Sequence, residues 1–277
     1  MSRPARRALE LSRVAELYAF DEQIRSLVAS GLVPDGQHQT SKAPTAEHAE
    51  HYYKKEGFLC DLCDLCGEIK GTSQASCDKT KLLKIAGFDE AGRGALAGPV
   101  VVACVHFDAL SDTGRLVGLD DSKRLTPRKR EALYERICTL SKWGVGWTSH
   151  SVIDRHGIVP ALTLAAHRAY RAMGQRANLL QFDRGLSLRS GSVPWEPLID
   201  PPLPKELTFT KGDAQSLHIA AASILAKVSR DRMMIRIHAR FPDYGFDRNK
   251  GYGTASHFAT LRRLGPSSIH RRSFRLH

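Results

Sequence analysis

The chain has 277 residues; Lys and Arg exceed Asp and Glu by 12, and the pI is near 9.6. That length is ample for a buried core and suits one substantial domain with an appendage, or two domains. The charge favours a polyanionic partner, nucleic acid before a membrane surface, and no apolar stretch is long enough to span a bilayer.

Met1-Ser-Arg-Pro-Ala-Arg-Arg is not followed by a continuous apolar core, so a secretory signal is not expected. The expected compartment is the cytoplasm, where the six cysteines would stay reduced. Leu9, Leu11, Val14, Leu17, Tyr18, Ile24, Leu27 and Val28 recur at helical spacing and predict an amphipathic helix over 6–30. Residues 32–82 are polar and charged and hold Cys60-Asp-Leu-Cys63-Asp-Leu-Cys66, then Cys77. Thiolates three apart can converge on one soft ion, and Cys77 could close a tetrahedral structural Zn²⁺ site. An iron–sulfur cluster, or a disordered insertion with reactive thiols, fits the same spacing.

Ile85-Ala-Gly-Phe-Asp89-Glu90 reads as a buried strand ending in two adjacent carboxylates. Gly92-Arg93-Gly94 then leads to a Val-rich second strand, Val100–Phe107. Neighbouring strand residues face opposite sides, but a bend at the strand's end could turn both carboxylates towards one ion. The Gly-Arg-Gly turn has the freedom to bring its backbone against a polynucleotide, with Arg93 close to phosphate. A bare Asp-Glu pair would more often be a solvated turn.

Asp120-Asp121-Ser122-Lys123 is a charged turn; Thr126 and Pro127 cap a predicted helix running to about Leu140. A third strand is predicted over Trp143–Ser151, a helix over Ile153–Met173, and a strand over Asn178–Asp183, again ending in a carboxylate. Residues 186–206 are Pro- and Ser-rich and read as a loop. Leu207–Asp213 predicts a last strand leading into a helix over Ala214–Ile237, with Asp213 at its N-terminus, where the dipole favours a carboxylate. Asp231, beside Arg230 and Arg232, reads as structural pairing. The tail after Asp247 has no acid and contains Gly251-Tyr252-Gly253, a phosphate-contacting surface or a solvated basic terminus.

Asp89-Glu-Ala-Gly-Arg-Gly94 followed by Ala97-Gly-Pro-Val100 resembles the signature of ribonuclease HII, the type 2 ribonuclease H family. The Asp120–Lys123 turn, the run Ala220–Asp231 and the segment Asn249–Phe274 resemble it too, so the likeness spans about Leu83 to Phe274. The resemblance implies an α/β, ribonuclease H-like fold, a central mixed β-sheet flanked by helices, here with an N-terminal helix and a Cys-rich insertion. The expected division is an N-terminal amphipathic helix at 1–31, the insertion at 32–82 and a catalytic domain with a basic C-terminal tail at 83–277.

It further implies that Asp89, Glu90, Asp183 and Asp213 are catalytic and hold metal. The family's third carboxylate is usually followed by Gly-Asn; Arg184-Gly185 stands here instead. Oxygen-only ligation suits Mg²⁺ or Mn²⁺, and two ions about 4 Å apart can drive an in-line displacement. The implied substrates are RNA–DNA hybrids and single ribonucleotides in duplex DNA, cut to leave a 5′-phosphate and a 3′-hydroxyl. Gly92, Arg93 and Gly94 would read the 2′-hydroxyl, Tyr252 would stack on the following deoxyribose, and Ser122 and Lys123 would hold a phosphate. The partner is nucleic acid, with no membrane, and the chain is expected to act as a monomer. Two alternatives remain: a nucleic-acid-binding protein with an inactive hydrolase core, and ribonuclease HIII, which predicts a different N-terminal substrate-binding domain.

Overall fold

The computed structural model describes residues 3–29, 83–108, 113–119, 122, 125–190 and 202–277. Cys60, Cys63, Cys66 and Cys77, with the rest of the expected insertion, lie outside these residues, as do Asp120, Asp121 and Lys123. The strands are β1 (Ile85–Ala91), β2 (Val100–His106), β3 (Lys142–Thr148), β4 (Leu179–Asp183) and β5 (Lys205–Phe209). The helices are α1 (Arg3–Ala29), α2 (Pro127–Leu140), α3 (His150–His156), α4 (Ile158–Met173), α5 (Leu217–His238), α6 (Phe246–Asn249) and α7 (Ala255–Leu264).

The strands form one mixed sheet in the order β3-β2-β1-β4-β5. β2 runs antiparallel to both β1 and β3, while β4 is parallel to β1 and β5. Strand alternation assigns the two faces. Phe88, Val100, Val102, Cys104, Leu180 and Phe182 pack beneath α4. Ala103 and Val105 point the other way, into a cluster built from α5, Leu133 and Ile137 of α2, and Val14 and Leu17 of α1. Helices therefore cover both faces, the α/β layering implied by the resemblance.

Both helices lie close to the sheet because glycines let them. A Cβ on Gly144 or Gly146 would come 2.1 Å from the carbonyl oxygens of Ala169 or Ala165 in α4. One on Gly87 would come 2.4 Å from the backbone at the start of α5. Gly87 thus sets the start of α5 directly over β1, two residues from Asp89.

Several boundaries differ from the sequence expectation. The third strand stops at Thr148, because Ser149 accepts a hydrogen bond from the Val152 amide and caps α3. The single helix expected to Met173 is two, broken at Gly157 with φ +86°. The helix expected from Ala214 begins at Leu217; Ser216 caps it by accepting from the Ile219 amide. Asp213 is therefore not at the helix start but in a one-turn 3₁₀ segment, Gly212–Ala214. The basic tail is ordered as α6 and α7, the latter capped by Thr254. At α2, Thr126 and Pro127 take their expected capping positions. Among the described residues no helix is long and apolar enough to cross a membrane.

Candidate active site

Asp89 and Glu90 do not end their strand. β1 continues to pair with β2 as far as Ala91↔Val101, whereas its pairing with β4 stops at Phe88↔Phe182. The two acids thus sit where one edge of β1 is still bonded and the other has opened. No bend is needed to bring them to that opening. On that open side β4 ends in Asp183, and parallel pairing sets it beside Asp89.

Asp183 Oδ1 accepts from the Gly212 amide at 2.9 Å, which draws the Gly212–Ala214 turn, and Asp213 with it, to the same place. Burial first, then the charge of Glu90, then those of Asp183 and Asp213, push the Asp89 carboxyl well above the usual carboxylate range. The other three sequence-derived acids therefore all act on Asp89. Asp89 Oδ1 is steadied by the Glu90 amide at 2.7 Å. Glu90 Oε1 accepts from Arg93 Nε at 2.7 Å, and Arg93 Nη2 donates to the Gly185 carbonyl at 2.9 Å.

Among the described residues no three His, Cys, Asp or Glu groups form a ready-made coordination set. Glu90 is engaged by Arg93 and Asp183 by a backbone amide. The donor chemistry still fits a hard divalent cation. Four carboxylates with mutual repulsion, and neither thiol nor imidazole among them, suit oxygen-ligated ions, and a cation would offset the charge that raises Asp89.

The substrate-facing candidates surround these acids. Gly92 takes φ +92°, donates its amide to Tyr252 Oη at 3.1 Å, and so ties the Gly-Arg-Gly loop to Tyr252. Gly94 is exposed, and a Cβ there would meet nothing within 4 Å. The Tyr252 ring lies 5.0 Å from the Arg230 guanidinium and 5.8 Å from Lys227 Nζ. Ser122 is buried, and its carbonyl accepts from Arg130 at 2.7 Å. Arg130, Lys227 and Asp231 all act electrostatically on Lys250. Asp231 pairs with Lys227 at 2.7 Å rather than with its flanking arginines, as i,i+4 helix geometry dictates; Arg232 reaches Glu131 and Glu135 of α2.

Sequence reasoning missed two arginines, Arg230 and Arg271, both fully buried. Arg271 donates to the carbonyls of Gly92, Arg93 and Gly98, and Arg230 to those of Ala97 and Pro99. Burial, then the charge of Arg230, hold Arg271 down to about 9. The signal for Arg230 was present: it lies four residues from both Ala226 and Met234 on the buried face of α5.

The ribonuclease HII family model matches residues 86–277. The chain belongs to the ribonuclease HII family. It is 45% identical over 193 residues to a ribonuclease HII of Syntrophotalea carbinolica, covering 69% of this chain and 85% of that one. It is 47% identical over 193 residues to that of Geobacter sulfurreducens, covering 69% and 82%. A solved ribonuclease HII of Archaeoglobus fulgidus, in complex with PCNA, superposes with a TM-score of 0.56 at 26% identity, covering 70% of this chain and 96% of that one. A Pyrococcus horikoshii ribonuclease H2 shares the fold, with a TM-score of 0.53 at 23% identity and 70% and 95% coverage. So does Bst-RNase HIII in complex with Mn²⁺, at 0.52 and 17%, with 70% and 68% coverage. As a ribonuclease HII the chain is an endonuclease that degrades RNA in RNA–DNA hybrids.

Proposed function

We propose that this ribonuclease HII cuts on the 5′ side of single ribonucleotides embedded in duplex DNA, besides hydrolysing hybrids, and leaves 5′-phosphate and 3′-hydroxyl ends. The observation that carries the reading is the action of Glu90, Asp183 and Asp213 on Asp89 beside a loop tied to Tyr252. These four carboxylates would hold Mg²⁺ or Mn²⁺, most simply as a pair of ions. Bound there, the ions would supply an activated water and neutralise charge on the leaving 3′-oxygen.

The chain's own groups do the rest. Arg93 restrains Glu90, and the Gly212 amide restrains Asp183. Gly94 leaves room for a sugar to approach the loop backbone, where a 2′-hydroxyl can both donate and accept. Tyr252 offers a flat face for the next sugar, at an orientation fixed by its bond to Gly92. Ser122 and Lys123 would take a phosphate, and the net charge of +12 would draw the polyanion in. Residues 83–277 would form the catalytic unit.

The test is a DNA duplex with one ribonucleotide, incubated with the protein and Mg²⁺ beside an all-DNA control. The expected result is a single cut 5′ of the ribonucleotide, abolished by EDTA, whose downstream fragment bears a 5′-phosphate. Binding without cutting under both Mg²⁺ and Mn²⁺ would return the case to an inactive binding protein.

A further inference from the structure

Asp213 is carried by a 3₁₀ turn rather than by a strand. Its 3₁₀ turn is a single turn long, and Lys211 just before it takes φ +58°, an unfavourable conformation for a residue with a side chain. Such a segment keeps its shape only if its surroundings hold it. Asp183 holds one end, through the Gly212 amide. The other end is held by α1, which lies upstream of the family-matched residues 86–277.

Two contacts do this. Arg13 Nη2 donates to the carbonyl of Ala214, the residue after Asp213, at 2.6 Å. Eight residues further along α1, Asp21 is fully buried, and its Oδ2 accepts from the Leu217 amide at 2.8 Å, the His218 amide at 3.3 Å and His218 Nδ1 at 2.8 Å. The first amides of a helix have no partner within it. In α5, Ser216 satisfies that of Ile219, and Asp21 satisfies the two before it. A carboxylate at this end also opposes the helix dipole favourably. The packing agrees: Val14 and Leu17 of α1 share a buried cluster with Leu217 and Ala220.

We propose that α1 is a clamp on the Asp213 arm of the metal site, with Arg13 and Asp21 as positioning residues. This rests on the reading of Asp213 as a metal ligand. The clamp matters because a carboxylate held in place before the ion arrives loses less freedom on ligation. Direct hydrogen-bond partners of metal ligands are worth about 10- to 100-fold in metal affinity, and Arg13 and Asp21, which hold the neighbouring backbone, belong at the low end.

The experiment uses the full chain with Arg13→Ala, Asp21→Ala and Asp21→Asn, each checked for cooperative thermal unfolding. Mn²⁺ binding is measured without substrate, by the paramagnetic resonance signal of free Mn²⁺, and the Mg²⁺ dependence of cleavage alongside it. Asp21→Ala should raise the half-saturating Mn²⁺ and Mg²⁺ concentrations about 10-fold, while the substrate KM at saturating Mg²⁺ stays put. Asp21→Asn, which keeps an oxygen acceptor for the α5 amides, should recover most of that loss. Arg13→Ala removes the bond to Ala214 together with an exposed ion pair to Glu16 within α1, and decides the matter if Asp21→Ala does not fold; it should raise both concentrations several-fold. Wild-type metal affinity in Arg13→Ala and in folded Asp21→Ala would overturn the clamp while leaving the two-ion reading intact. Failure of the unsubstituted chain to bind Mn²⁺ would overturn both.

Discussion

Acid should loosen the Tyr252 segment through one pair of rings. The Ser267 amide donates to His270 Nδ1 at 2.9 Å, His257 Nδ1 lies 2.9 Å from the Tyr252 carbonyl, and the two Nε2 atoms face each other at 3.0 Å. An amide can only donate and a carbonyl can only accept. His270 therefore carries its proton on Nε2 and donates it to His257, whose own proton sits on Nδ1 and goes to Tyr252. Every position is used, so a further proton on either ring breaks a bond. Burial first, and then the charge His257 would carry, hold His270 down to about 4 from 6.5. Between those values the unfolded chain binds a proton that the folded chain refuses, so stability is lost as pH falls through the window. The full loss is about 3 kcal/mol, most of it reached by pH 4.5. Urea unfolding at pH 7 and pH 4.5 measures it, with His270→Asn as the reference, since Asn keeps an acceptor for the Ser267 amide. The wild type should lose about 2 kcal/mol more than the variant over this interval. Parallel pH dependence in the two proteins would refute the tautomer chain.

Asp89→Asn should lower turnover about 1,000-fold, through several kcal/mol of lost charge stabilisation, while duplex affinity by fluorescence anisotropy stays within about twofold. Gly92→Ala would bring a Cβ to 2.0 Å from Arg230 Nε at φ +92°; backbone strain alone should cost about 1–3 kcal/mol in urea unfolding, with a raised substrate KM. Arg271→Met leaves the Gly92, Arg93 and Gly98 carbonyls without their donor and should destabilise by about 3 kcal/mol, measured the same way. Gly146→Ala forces α4 off the sheet and should cost about 1–3 kcal/mol without changing metal dependence.

β1, β2 and β4 were legible because each is a short apolar run bounded by glycines or carboxylates, and α2 because Thr126 and Pro127 announce it. β5 begins at Lys205, inside the expected loop, and ends at Phe209 rather than Asp213, because its polar first residues carry no strand pattern. Asp89, Glu90 and Asp183 were legible as acids at the ends of apolar runs. What was not legible follows from contacts between distant parts of the chain. Periodicity cannot tell that pairing continues on one edge of β1 and stops on the other, so Asp89 and Glu90 read as a strand terminus. Asp213 read as a helix start because the Ser216 cap competes with Asp213 for that role, and only the Asp21 contact from α1 shows where α5 begins. Arg271 sits in a basic tail, where composition suggests a solvated or phosphate-facing side chain. Its burial depends on carbonyls more than 170 residues upstream.

Two like-charged guanidinium groups inside one domain are costly unless their donors are bonded. Here most of them are bonded to a single loop, Arg230 Nη1 being the buried donor without a hydrogen-bond partner among the described residues. The carbonyls of Gly92, Arg93, Ala97, Gly98 and Pro99 all turn inward to Arg230 and Arg271. Backbone oxygens that would otherwise face an approaching phosphodiester are thereby drawn away from it. The loop's outer side is left to Arg93 and to the open Gly94. The acids that repel the same phosphodiester lie beside the loop, on β1, at the end of β4 and in the Gly212–Ala214 turn. Five carbonyls of the loop are thus bonded internally, close to the carboxylates proposed to take cations. The buried arginines separate those opposite demands within the six residues from Asp89 to Gly94.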